Sequence, residues 1–117
     1  MLCTFCTRLR AEQSEADRLA AASSSLYYMP YMDVPGLLDG FAAYNRAIRR
    51  VGATTATTIA EIEGKIPGDA RHFHDSVHFT KDGCDVMADL VVNALVADAT
   101  FLATLKRARE STNDGSH

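Results

Sequence analysis

Residues 72 to 83 read HFHDSVHFTKDG, which sets three histidines and two aspartates among aromatic and small residues. The flanks say what kind of segment this is. Before it, EGKIPGD (63 to 69) holds two glycines and a proline, the residues that punctuate a chain between regular elements. After it, Cys84, Met87, Ala88, Val91, Val92, Leu95 and Ala99 recur at helical spacing. Thr80 has the hydroxyl that an N-cap needs to accept from the backbone N–H of Gly83. The segment is therefore a polar loop that delivers the chain into a helix. Three chemistries fit it: a metal site, an acid–base pair, or a loop with no reacting role.

Working outward, residues 4 to 22 are rich in Ala, Leu, Arg and Glu, and Leu9, Ala16, Leu19 and Ala20 share one helical face. Ser23, Ser24 and Ser25 are expected to end that helix. The run LYYMPYM (26 to 32) predicts a short buried strand that stops at Pro30. A second helix is expected from 37 to 51, with Leu38, Phe41, Ala42, Ile48 and Val51 on its apolar stripe and Gly52 as its stop. Its polar side carries Arg46, Arg49 and Arg50. ATTATTIAEI (53 to 62) has the β-branched density of a second strand. From Glu110 onward ESTNDGSH has the composition of a frayed tail. Helix, strand, helix, strand, helix is the alternation that builds a parallel sheet covered by helices. Two strands alone leave that sheet with unpaired edges, so a partial fold or a completing partner is expected.

With 117 residues, 47% apolar and 23% charged, the chain is expected to form one globular domain rather than a disordered segment. A formal charge of -3 argues against a nucleic-acid surface, because the basic residues are outnumbered and scattered. The longest apolar region, Val86 to Leu105, is broken by Asp89, Asn93 and Asp98, so it does not supply the roughly 18 apolar residues of a membrane span. MLCTFCTRLR does not read as a secretory signal, and three cysteines, an odd count, suit a reducing, cytoplasmic setting. Cys3 and Cys6 form a C-x-x-C that reads as two small hydrophobes on a helix face.

For a metal, His74 and His78 stand four apart, with His72 or Asp75 available as a third ligand. On a loop that spacing loses its meaning, and the gap from Cys3 and Cys6 is far longer than the ~12 to 20 residues of finger-type sites. Zinc binding is thus a minor alternative. The acid–base pattern is more specific. Asp75-Ser76-Val77-His78-Phe79-Thr80, then Gly83 and an amphipathic helix, follows an expected strand, and open α/β folds place their sites at the C-terminal edge of the sheet. Phe73, Val77 and Phe79 are expected to pin the loop to the core, with His72 and His74 as decoration and Asn45 as a brace.

This block resembles the last conserved block of the SGNH (GDSL-type) ester hydrolases, an Asp-x-x-His that supplies the acid and base of a Ser-His-Asp triad. The Tyr44-Asn45 pair in an arginine-bearing helix, a strand and a proline-containing loop are similar to the approach to that block, and the resemblance spans residues 26 to 97. It implies a partial three-layer α/β/α, flavodoxin-like fold with two parallel strands and three helices. Residues 1 to 109 would be the C-terminal part of the domain and 110 to 117 a disordered tail. It also implies ester (acyl) hydrolysis by a serine mechanism without a cofactor, with His78 as base and Asp75 as the carboxylate that orients it.

The resemblance stops short of the nucleophile. Neither a Gly-Asp-Ser near the start nor a Gly-x-Ser-x-Gly elbow is present; Asp114-Gly115-Ser116 has the letters in another order, within the polar tail. The chain alone is expected to be inactive, its nucleophile coming from a missing N-terminal segment, from another chain, or from nowhere if it is a degenerate remnant. The alternative from a different class is a noncatalytic module that pairs, or self-associates, through an exposed strand edge.

Overall fold

Parallel pairing of Leu2 with Ile59 and Cys3 with Ala60 joins the start of the chain to its middle. The computed structural model describes residues 1–113. Its elements are β1 (Leu2–Cys3), α1 (Glu15–Tyr28), α2 (Val34–Thr55), β2 (Ile59–Ala60), α3 (Lys81–Val96) and α4 (Ala99–Asn113). This is a mixed α/β fold with two parallel strands, as expected, but with four helices among the described residues instead of three. No single helix there is long and apolar enough to cross a membrane.

The first strand is not where the aromatic run placed it. LYYMPYM completes α1 and turns toward α2, leaving Tyr27, Tyr28 and Tyr31 between 77% and 85% exposed. β-propensity describes a side chain that fits a half-buried pleat, and here no sheet is in place to bury the rings. Residues 4 to 14, expected to be helical, are instead an irregular segment whose polar side chains satisfy backbone groups. Thr4 Oγ1 accepts from Ile62 N–H (2.7 Å) and Glu63 N–H (2.9 Å), closing off the ladder beyond Ala60. Gln13 Nε2 donates to Arg8 O (3.1 Å) and Gly68 O (2.9 Å), and Arg10 donates to Ile66 O (2.7 Å). Helix α1 begins where Ser14 accepts from Asp17 N–H and caps it. The three serines expected to break α1 lie inside it, and Ser25 is buried.

Helix α2 starts at its Asp33 cap, before the expected Leu37, and runs past Gly52 to end at Ala56 in the left-handed region (φ 49°). Gly52 is therefore a packing residue: a Cβ there would lie 2.3 Å from Ile59 Cδ1, so its absence lets β2 approach the helix. That early continuation of α2 absorbs residues 53 to 55 and shortens the second strand to Ile59–Ala60.

Two small cores result. Cys6, Ala60, Ile62, Ile66 and Phe73 pack beneath Val86, Met87, Leu90, Val91 and Ala94 of α3. Leu9, Ala21, Ala22 and Leu37 form the second, between α1 and α2. The inward stripe of α3 thus differs from the expected one: Cys84 and Ala88 are exposed, and Val92 is 54% exposed. Thr80 caps α3 as expected, accepting from Gly83 N–H at 3.2 Å. The tail expected from Glu110 begins inside α4, and residues 114 to 117 lie outside the described residues.

Among the described residues, no strand pairs with the outer edge of β1. The ladder uses the backbone groups of Leu2 and Thr4, so those of Cys3 point the opposite way. At Phe5, the next residue on that edge, the buried Asn45 amide stands in for a strand: its Oδ1 accepts from Phe5 N–H (2.6 Å) and its Nδ2 donates to Phe5 O (2.9 Å).

Candidate functional site

The loops that leave the C-terminal ends of the two strands meet around residues 72 to 80. This segment folds as a tight antiparallel turn: His74 N–H donates to His78 O (2.8 Å) and Thr80 N–H to His72 O (3.0 Å). The Phe73 and Phe79 rings close on each other at 4.9 Å, and Phe73 is 1% exposed, so the base of the turn is anchored in the first core. Gly83 completes the anchor. A Cβ on it would sit 2.1 Å from His72 O, so only glycine lets α3 start against this carbonyl.

Asp75 and His78 lie at the tip. Asp75 Oδ1 accepts from the N–H groups of Val77 and His78, each at 2.9 Å, and Oδ2 lies 2.8 Å from His78 Nδ1. These two backbone donors and then the imidazole hold the Asp75 carboxyl down at about 2, from an ordinary 3.8. At neutral pH it is an anion with no proton to give, so the hydrogen in the contact belongs to Nδ1. Nε2 then carries the lone pair on a side chain that is 76% exposed. An imidazole held in that tautomer by a carboxylate, with Nε2 directed outward, can take a proton from a hydroxyl brought to it. Among the described residues, no Ser, Thr or Cys side chain is hydrogen-bonded to the His78 ring.

The same device occurs twice. Asp69-Ala-Arg-His72 has the identical spacing, with Asp69 Oδ1 accepting from the N–H groups of Arg71 and His72 (3.0 Å each) and lying 2.7 Å from His72 Nδ1. The His72 ring, first among the causes, lowers the Asp69 carboxyl below its usual range. The His72 side chain is only 12% exposed. His72 is therefore a covered residue of the turn's base rather than the decoration expected of it. Spacing alone flags both pairs, and burial separates them.

Cys3, Cys6, His74 and His78 do not assemble. Among the described residues, no group of three or more His, Cys, Asp or Glu side chains could hold a metal ion. Cys6 is buried, with its Sγ accepting from Arg10 at 3.4 Å, and His74 is exposed. The arginine-bearing face of α2 proves more structured than expected: Arg49 pairs with Glu61 (2.7 Å) and Glu63 (2.5 Å), tying α2 to the segment after β2. Hydrogen bonds from Arg49 lower Glu61 and raise the guanidinium itself.

Along the open edge of β1 runs a cavity of about 200 Å³ lined by Cys3, Phe5, Tyr44, Ile48, Val77 and Met87, among others. Val77 and Phe79 are what the turn contributes to this groove; Asp75 and His78 do not line it. A larger cavity of about 350 Å³, walled by Phe5, Leu9, Leu38, Phe41 and Asn45, opens between the loop after β1 and α2; neither Asp75 nor His78 lines it.

No protein family, curated protein or solved structure matches this chain.

Proposed function

We propose that Asp75 and His78 are the acid and base of a serine ester hydrolase of the SGNH (GDSL) type, with a flavodoxin-like sheet of which β1 and β2 are two strands. The observation that carries this reading is the 2.8 Å contact between Asp75 Oδ2 and His78 Nδ1 on a turn whose imidazole is otherwise exposed. The nucleophilic serine and the oxyanion donors come from a segment outside these 117 residues, on the same polypeptide or on another chain. The groove along β1 supports that assignment, since the Cys3 backbone groups that could take a further strand border a cavity that Val77 of the same turn also lines.

The test has two parts. The 117-residue chain should leave a short-chain aryl ester unhydrolysed and should not react with a fluorophosphonate probe. The DNA upstream of the Met1 codon should encode an in-frame Gly-Asp-Ser segment, and the extended protein should hydrolyse the ester in a His78-dependent way. Turnover by the short chain that is abolished in His78→Ala would overturn the missing-nucleophile part, and an extended protein equally active as His78→Ala would overturn the whole.

A second reading is favoured by the same edge. The Cys3 N–H and C=O are directed away from β2 and lie along an apolar groove, a geometry suited to strand addition by a partner without any catalysis. Sedimentation of the chain bears on both: a well-behaved monomer at all concentrations argues against a truncated sheet and against edge pairing.

A further inference from the structure

The serine run Ser23-Ser24-Ser25 has no part in the acid–base reading, yet two of its members grip the candidate site. Ser23 bonds back into its own helix, to Ala20 O at 3.0 Å. Ser24 and Ser25 reach outward instead. Ser76 Oγ accepts from Ser24 Oγ–H (2.7 Å) and from Ser25 N–H (3.2 Å), while Ser76 N–H donates to Ser24 Oγ (3.1 Å). The carbonyl of Ser76 accepts from Arg8 N–H at 2.9 Å. Every polar group type of this residue is thus tied to α1 or to the loop after β1, and Ser76 is 2% exposed.

Ser76 is the residue after Asp75. The imidazole of His78 is open to solvent and is held through the Asp75 carboxylate, whose position in turn follows from where the backbone at Ser76 is fastened. We propose that Ser24 and Ser76 are positioning residues for the Asp75–His78 pair: their reciprocal hydroxyl clasp fixes the tip of the turn to α1 and thereby the direction in which Nε2 points. The proposal rests on the acid–base reading of that pair. It assigns the serines no contact with substrate and no part in nucleophilic attack; Ser76 is too deeply covered for either.

The tautomer of His78 reports the clasp directly, and His72, held by Asp69 in a matching turn, is an internal control. In long-range ¹H–¹⁵N spectra of the labelled chain near pH 8, both neutral rings should carry their proton mainly on Nδ1. In Ser24→Ala, which keeps α1 because alanine is the stronger helix former, His78 should shift to the Nε2–H form as its major species while His72 is unchanged. Ser76→Ala should do the same, but Ser24→Ala decides the matter even if that variant folds poorly. An unchanged His78 signature in Ser24→Ala overturns the proposal. So does a wild-type His78 without a dominant Nδ1 proton, or a parallel change in both histidines, which would make the clasp a support for the whole segment. None of these readouts uses turnover, so an extended enzyme that proves indifferent to His78→Ala would remove the ester-hydrolase reading and leave the spectroscopic result standing.

Discussion

The turns at Asp69–His72 and Asp75–His78 share a spacing, an Asx-type pair of backbone hydrogen bonds and a carboxylate on Nδ1. They differ in what surrounds the ring: the His72 side chain is 12% exposed and the His78 side chain 76%. The first sits where the segment joins the core, next to Phe73 and against the start of α3; the second sits at the tip, fastened through Ser76 to α1. Local sequence builds the carboxylate–imidazole unit, and the position of that unit along the turn selects between a covered ring and one that can meet a reactant.

The largest effect that would sharpen this contrast is catalytic. In an extended protein that hydrolyses a short-chain aryl ester, His78→Ala should lower kcat by about 10⁶-fold, the order expected when a triad loses its base. His72→Ala should leave kcat unchanged; comparable losses would break the distinction. Next comes Gly83→Ala, whose Cβ would press on His72 O. We expect a loss of about 2 to 3 kcal/mol in urea denaturation, since backbone must move to relieve the overlap. Removing the rings should divide the pair again in stability: about 1 to 2 kcal/mol for His72→Ala and less than about 0.5 kcal/mol for His78→Ala.

The smallest effect is in acid. Asp75 titrates near 2 in the folded chain, below its ordinary 3.8. Its anion therefore adds stability that is complete above pH 4 or so and is lost as the pH falls toward about 2. Asp75→Asn should flatten that part of the acid limb in a series of denaturation curves, and an unaltered limb would show that the contact adds nothing to folding. Because this carboxylate is partly open to solvent, with 36% of its side chain exposed, the change is a modest one.

The mixed α/β class was legible in the sequence although the order of its elements was not; the loop from EGKIPGD, the Thr80 cap and the Asp75-x-x-His78 spacing were legible because each depends on neighbours within a few residues. What misled was long-range. Leu2–Cys3 is too short to show a strand pattern and is defined by its pairing with Ile59–Ala60, more than 50 residues away. LYYMPYM has strand composition but no sheet beside it, and the serines read as a break are helical because Ser76 gives two of them partners. His72 could have been recognised from its spacing to Asp69; its burial could not.

Asn45 imposes a limit on how the sheet can grow. By saturating both polar groups of Phe5, its amide acts as a stopper on the free margin of β1, so an added strand can bond at Cys3 and must leave the ladder immediately afterwards. The departure point faces the groove wall that Val77 provides. One buried amide is thereby a ruler for where an incoming chain has to leave the ladder.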